Sequence, residues 1–443
     1  MAVAPLFLFP FCASETVATV VLWLAFPAAV WLLQEPSLRD GEMLYDARRR
    51  VLREIVRDPL FWLMLVLVVL SGVRALNTGI AMAYDAENSK WFVSEAKLPI
   101  LPGSVDGAGY LAFAATVALT LLLMGCRHSL GLSGRMAYLF VSSTLAGLAA
   151  TIAIVAALYD NAPVLAAMAG DPLRDSLIGP CFALHLFGGT VALLAAFEHR
   201  WNLTMPLFAF AIGGSAAGTF AFSSVFVSTA VAIAEIVLLT YVFAYACRSL
   251  KGSGEFKFLV VAGIAFTLGG LLVAALMPEK LMDAKVAPYL TFDFLPQEFR
   301  ETRALLSATA FKTWLDHLWI GTGLASFPLD FRFAATPDEW TRIATGAEVV
   351  PNGWWMLLVE RGVVGAVMLG LPIGFLVYTW VRRLIGGVRH DRLPHPACAF
   401  LPLALVMLAV IGCYDGSFLR AEVLMALWAL LAVAAKAFPQ RRE

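Results

Sequence analysis

Charge is scarce in this 443-residue chain, so the places where it gathers stand out. Between Met277 and Asn352, 76 positions hold ten acidic and seven basic residues. Arg300 and Arg303 lie three apart in the stretch Pro296–Ile320. There Phe311, Leu315 and Leu318 recur at helical spacing, with Trp314 and Trp319 widening the apolar face. That pattern predicts a helix carrying both guanidiniums near one side. Guanidinium groups recognise phosphate and stabilise groups on which negative charge develops. Downstream, Arg332, Asp338, Glu339, Arg342 and Glu348 lead into Pro351-Asn352-Gly353 and a span holding Glu360-Arg361. A carboxylate here is the candidate base for an attacking hydroxyl. Glu348, four residues before Asn352, ranks first, ahead of Asp338, Glu339 and Asp330. Lys312 and Asp316, four apart, read as a surface pair. The turn Gly321-Thr322-Gly323 lacks the strand and spacing of a dinucleotide fingerprint and reads as a helix C-cap.

The elements that must position these residues follow from composition. Hydrophobic residues make up 60% of the chain, charged residues 14%, and mean hydropathy is +0.79. A soluble domain carries roughly 25% charge, so the chain reads as a polytopic membrane protein. Such apolarity excludes disorder. The 32 basic residues cancel the 32 acidic ones, so no nucleic-acid partner is expected. The six cysteines contain no CxxC, and each reads as a small buried hydrophobe. His390 and His395 have no metal-ligand spacing, and no metal site or cofactor is expected. The N-terminal run lacks a basic region and a small-residue cleavage site, so no removable signal peptide is expected.

A helix needs about 20 mainly apolar residues to cross the hydrocarbon core. Eleven stretches qualify or nearly do: Thr16–Leu33, Leu60–Leu76, Tyr110–Met124, Met136–Leu158, Leu177–Phe197, Leu207–Phe222, Val225–Tyr245, Phe258–Leu276, Trp354–Trp380, Phe400–Ile411 and Leu419–Val433. The expected fold is an all-α membrane bundle of about eleven spans with a long, partly helical outer loop. Residues 1–276 form an eight-span N-terminal bundle, 277–352 the loop, and 353–443 a three-span C-terminal bundle. Alternate connections, beginning with the arginines from Arg39 to Arg57, hold nineteen of the 32 basic residues. The side rich in Arg is therefore cytoplasmic, which puts the N-terminus outside and the C-terminus inside. Ionisable groups within spans default to functional candidates. Arg74 and Arg420 sit at outer ends, where they line a cavity for lipid phosphate or else pair between helices or snorkel. Glu235 and His185 form a structural hydrogen bond or a proton path. Gly213, Gly214 and Gly218 permit close helix packing.

The loop motifs carry a resemblance. A helix with an early Arg and a Trp, then Trp319-Ile320-Gly321-Thr322-Gly323-Leu324-Ala325-Ser326-Phe327, then N-G-x-x-x-x-L-x-E-x-G-x-x-G from Asn352 to Gly365, resembles the O-antigen ligase and polymerase superfamily over about residues 300–370. The resemblance implies glycan transfer from an undecaprenyl-diphosphate-linked donor to a glycan or lipid acceptor, at the outer face of the bacterial inner membrane. It also implies no metal and no nucleotide sugar, with membrane lipid and other polysaccharide-assembly proteins as further partners. It implies Arg303 as a diphosphate ligand, with Asn352 and Glu360 at motif positions. Arg300, Arg332 and Arg342 then join Arg74 and Arg420 as substrate-binding candidates. The sequence departs from the pattern at Pro351, where family ligases carry His, and at Val225, where the family places Arg after Ser. The departure favours a polymerase-type or divergent member over a strict ligase. The rivals are a flippase or secondary transporter, for which no internal repeat speaks, and a non-catalytic assembly subunit. A membrane-impermeant thiol probe applied from outside should label a cysteine at Asp338 and spare one at Arg49; the reverse labelling would overturn the orientation.

Overall fold

The structure, a computed structural model, describes residues 41–80, 103–105, 108–129, 256–276, 297–324 and 352–388, with shorter pieces within 26–39, 82–93, 209–240, 326–327 and 405–413. Its helices are α1 (Leu44–Arg57), α2 (Pro59–Leu76), α3 (Ala108–His128), α4 (Phe256–Leu276), α5 (Gln297–Asp316) and α6 (Gly353–Val388). Within these helices the segments Pro59–Leu76, Gly109–His128 and Gly353–Arg382 are long and apolar enough to cross a membrane. Helices α2, α3, α4 and α6 coincide with four expected spans, and α5 with the expected loop helix. The spans expected within 136–206 lie outside the described residues. Those at 16–33, 207–222, 225–245 and 400–411 are described only in pieces, and that at 419–433 not at all.

Two features were not legible as elements. The arginine-rich connection before α2 is itself helical: Ala47, Val51 and Ile55, at i, i+4 and i+8, are buried. The connection between α2 and α3 contains four strands of two to four residues. Here β1 (Thr78–Ile80) pairs in parallel with β4 (Ser104–Val105), and β2 (Met82–Asp85) pairs antiparallel with β3 (Lys90–Val93). The strands bring Gly103 and Ser104 back over the end of α2, where Ser104 Oγ donates to the Arg74 carbonyl at 3.0 Å.

Helices α2 and α3 form an antiparallel pair fastened at both ends. At one end Asp58 caps α2 by accepting from the Leu60 N–H at 3.0 Å, with Pro59 supplying the preset φ of a first helical residue. Its second carboxylate oxygen meets Arg127 Nε at 2.6 Å and His128 Nε2 at 2.9 Å at the far end of α3. Midway, the Ser71 and Thr116 hydroxyls share a hydrogen bond of 3.1 Å. Close packing also holds where glycine permits it. A Cβ at Gly213 would fall on the Phe266 carbonyl of α4, and one at Gly269 on the Phe210 carbonyl. Gly214 and Gly218 lie outside the described residues.

Burial alone would raise the Asp58 carboxyl. The hydrogen bond from His128, the Arg127 charge and the Leu60 N–H outweigh it and hold the group down at about 2, against an ordinary 3.8. Since the folded pKa lies below the unfolded one, the stabilisation is complete above about pH 4 and drains away as pH falls toward 2. Asp58→Asn keeps an N-cap oxygen but removes the charge. It should cost about 2 kcal/mol of stability at pH 7 and flatten the acid limb of stability against pH. Denaturant titration of the purified protein at several pH values checks this; an unchanged acid limb would refute it.

Candidate functional site

The site begins with a break in α6. At Gly362 the backbone takes φ 64° and ψ −177°, a conformation essentially confined to glycine, and the helix parts into two halves. A break exposes carbonyls at the end of the first half and N–H groups at the start of the second, and inside a membrane both need partners. The segment following α5 supplies them. Thr322 N–H donates to the Val359 carbonyl at 2.8 Å, and Gly323 N–H to the Glu360 carbonyl at 3.2 Å. In return Val363 N–H donates to Leu318 O at 3.0 Å and Val364 N–H to Trp319 O at 3.1 Å. Each helix end thus caps the other.

Two glycines make the approach feasible. Gly321, at φ 77°, closes the last turn after α5 with its N–H on the His317 carbonyl at 2.9 Å, as the C-cap reading expects. A Cβ on it would lie 2.6 Å from the Val359 carbonyl oxygen. A Cβ at Gly362 would lie 2.6 Å from the Gly321 nitrogen and fall on the Trp319 carbonyl. The hydroxyls of the turn serve the same junction: Thr322 Oγ1 and Ser326 Oγ are 2.6 Å apart, and Ser326 Oγ donates to the Gly323 carbonyl at 2.8 Å.

Arg74 clamps the junction from α2. It is only 2% exposed, and its guanidinium donates to the carbonyls of Arg361 at 3.1 Å, Ile320 at 3.4 Å and Glu360 at 3.5 Å. A fork of donors suits three carbonyls that face one another across a helix break. These contacts give Arg74 a positioning role. From the other side Leu324 N–H reaches the Gly103 carbonyl at 3.3 Å, so the α2–α3 connection joins the junction as well.

The apolar contacts set α5 against α6. Leu306, Ala310, Phe327 and Val359 form a buried cluster, flanked by Leu305, Trp314 and Trp355. The Trp314 and Trp355 rings lie 6.0 Å apart, and Phe311 meets Trp355 edge-on at 5.7 Å. The buried face of α5 therefore runs through Leu306 and Ala310. Leu315 and Trp319, which the spacing grouped with Phe311 and Leu318 as the apolar face, are exposed, and Phe311 stands half-exposed at the edge of this packing against Trp355. Arg300 and Arg303 occupy positions in the first two turns of α5; by helical spacing position 303 lies in register with Leu306 and Ala310, three and seven residues on, and position 300 does not. Lys312 and Asp316 are exposed and form no ion pair among the described residues.

Asn352 caps α6: its Oδ1 accepts the Trp355 N–H at 2.9 Å. Glu360 is buried, one residue before the break's Arg361. Thus Arg74, Asn352 and Glu360 meet through the first part of α6, while Arg300 and Arg303 are placed only as positions in the first two turns of α5. Glu348, Arg332, Arg342 and Arg420 lie outside the described residues, as do Asp338, Glu339, Asp330, Glu235 and His185. Trp314 carries a further signal: its Nε1, like Arg74 Nε, is buried without a hydrogen-bond partner, a donor beside the Trp355 ring that periodicity could name only as apolar.

No family model matches the chain, and no curated protein sequence does either.

The crossover makes a sharp prediction. Gly362→Ala should cost at least about 3 kcal/mol or prevent accumulation of folded protein. Gly370→Ala, where a Cβ meets nothing within 4 Å, should be tolerated. Thermal unfolding of the two variants in detergent compares them, and equal stability would disprove the crossover.

Proposed function

We propose that the chain is an integral-membrane glycosyltransferase that polymerises or transfers undecaprenyl-diphosphate-linked oligosaccharide at the outer face of the bacterial inner membrane, in the synthesis of surface polysaccharide such as O-antigen or exopolysaccharide. The observation that carries this reading is the crossover. It ties the loop helix α5, with its two arginine positions, to the span that opens N-G-x-x-x-x-L-x-E-x-G. Those are the two halves of the family-like motif, and the glycines common to both are the ones on which the packing depends. A bundle of about eleven spans with an outward cavity is part of the proposal.

In the proposed reaction an acceptor hydroxyl attacks the anomeric carbon of the donor glycan. The bond from that carbon to the diphosphate oxygen breaks, and the bond to the acceptor oxygen forms. The lipid diphosphate departs with one more negative charge, which Arg303 stabilises, with Arg300, Arg332, Arg342 and Arg420 holding the phosphates. The hydroxyl proton passes to a carboxylate, Glu348 first in rank. Asn352, committed to its helix cap, positions the start of α6, and Arg74 holds the junction. Pro351, where the related ligases carry His, favours polymerisation over ligation. The same residue also favours the second reading, a non-catalytic subunit of the assembly machinery.

Arg303→Ala should lower polymer formation roughly a hundredfold or more with protein level and thermal stability unchanged. Surface glycan resolved by length reads the outcome. Single repeats still attached to their carrier mean a polymerase, unattached polymer means a ligase, and a normal length distribution would sink the role of Arg303.

A further inference from the structure

Helix α1 has two apolar faces where a helix lying on a protein surface needs one. The first, Ala47, Val51 and Ile55, is buried. The second, Tyr45, Leu52 and Val56, recurs at i, i+7 and i+11 on the opposite side and is 72%, 64% and 49% exposed. Trp62, in the first turn of α2, lengthens this second face: its indole N–H donates to the Val56 carbonyl at 2.9 Å, and it is 53% exposed. A contiguous Tyr-Leu-Val-Trp surface of this kind is costly in water.

The charges around it are sorted. Arg50 is engaged by Glu42 at 2.8 Å and Glu54 at 3.8 Å, and Arg39 by Glu54 at 3.6 Å. Arg48 flanks the exposed apolar stripe on one side, and Arg49 and Arg53 on the other. All three are exposed, and none forms an ion pair with a described carboxylate. One residue, Asp58, separates α1 from a helix long enough to cross the membrane, so α1 is held at the bilayer boundary. Arg48 Nε also donates to the Gln34 carbonyl at 2.6 Å, which fixes its stem and leaves its terminal nitrogens for a phosphate. An apolar stripe with Tyr and Trp at its edge and exposed arginines on both flanks, none in an ion pair with a described carboxylate, fits a helix lying at headgroup depth.

We propose that α1 is an anionic-lipid-binding helix: Tyr45, Leu52, Val56 and Trp62 enter the acyl boundary, and Arg48, Arg49 and Arg53 hold lipid phosphates of the leaflet at the start of α2. Each arginine near an anionic leaflet contributes on the order of a tenfold gain in surface affinity. The proposal is independent of the reaction proposed above, and its test requires no activity.

The experiment uses the full chain with its six native cysteines replaced, after a thermal melt shows that this background folds. A spin label is attached through Leu52→Cys, Val56→Cys or, as control, Asp46→Cys. The protein is placed in nanodiscs of phosphatidylcholine with or without phosphatidylglycerol. Labels at 52 and 56 should collide with oxygen in preference to an aqueous nickel complex when phosphatidylglycerol is present, and less so without it, while the label at 46 should favour nickel. Arg49→Glu with Arg53→Glu should abolish the oxygen preference at 52, and the two Lys replacements should retain it. Nickel access at 52 and 56 in both bilayers would overturn the proposal. So would equal depth in both bilayers, or shielding from both quenchers, which would mean that protein covers the face.

Discussion

A helix interrupted within a long apolar segment leaves polar backbone groups that need partners, and the described architecture turns on how they are met at Gly362. The solution is reciprocal. The last turn after α5 donates N–H groups to the first half of α6 and lends carbonyls to the second half. Three carbonyls at the junction, those of Ile320, Glu360 and Arg361, are gathered by one guanidinium from α2, the Glu360 carbonyl serving in both sets of bonds. The strength of charge-assisted hydrogen bonds in a medium of low dielectric makes Arg74 more than a local contact. Through it α2, and with α2 the α2–α3 pair, is registered against a junction made more than two hundred residues later in the chain. The placement of α5, of the Asn352 cap and of the α2–α3 connection all follow from that registration.

Much of this was legible in the sequence because membrane spans and amphipathic helices announce themselves through length and period. Pro59–Leu76 and Gly353–Val388 could be read almost to the residue at their starts, since Pro at a first helical position and Asn-Gly before an apolar run are strong boundary signals. The importance of Gly321 and Gly362 could be noted only as a pattern. Nothing local distinguishes a glycine that ends a helix from two glycines that must approach each other's backbone from segments forty residues apart. Arg74 illustrates the same limit. Its position at the outer end of a span left a cavity wall, pairing between helices and snorkelling all open, and its partners are backbone carbonyls, which carry no side-chain signature in a sequence. The face of α5 was misjudged for a related reason. Periodicity finds the apolar residues but not which of them meet a neighbour: Leu315 and Trp319 look outward, whereas Leu306 and the smaller Ala310 pack inward.

The two ends of the α2–α3 pair are built from different chemistry. At the arginine-rich end, an aspartate joins a helix cap to Arg127 and His128 and keeps its full stabilisation above about pH 4. At the other end, the fastening is a serine on a backbone carbonyl and a short parallel strand pair. Charged groups thus fasten the pair at the end that adjoins the arginines of α1. Neutral hydrogen bonds fasten it at the other end, so the guanidinium of Arg74 is left to the carbonyls of the α5–α6 junction.

The sequence distance spanned by Arg74 bears on how the chain is made. Two of its acceptors, the carbonyls of Glu360 and Arg361, lie 286 and 287 residues downstream. Until residues 360 and 361 have been made, the guanidinium on α2 lacks both of these acceptors. The contact that registers α2 against the junction therefore exists only in a chain that extends through the start of α6, and any shorter product is without it.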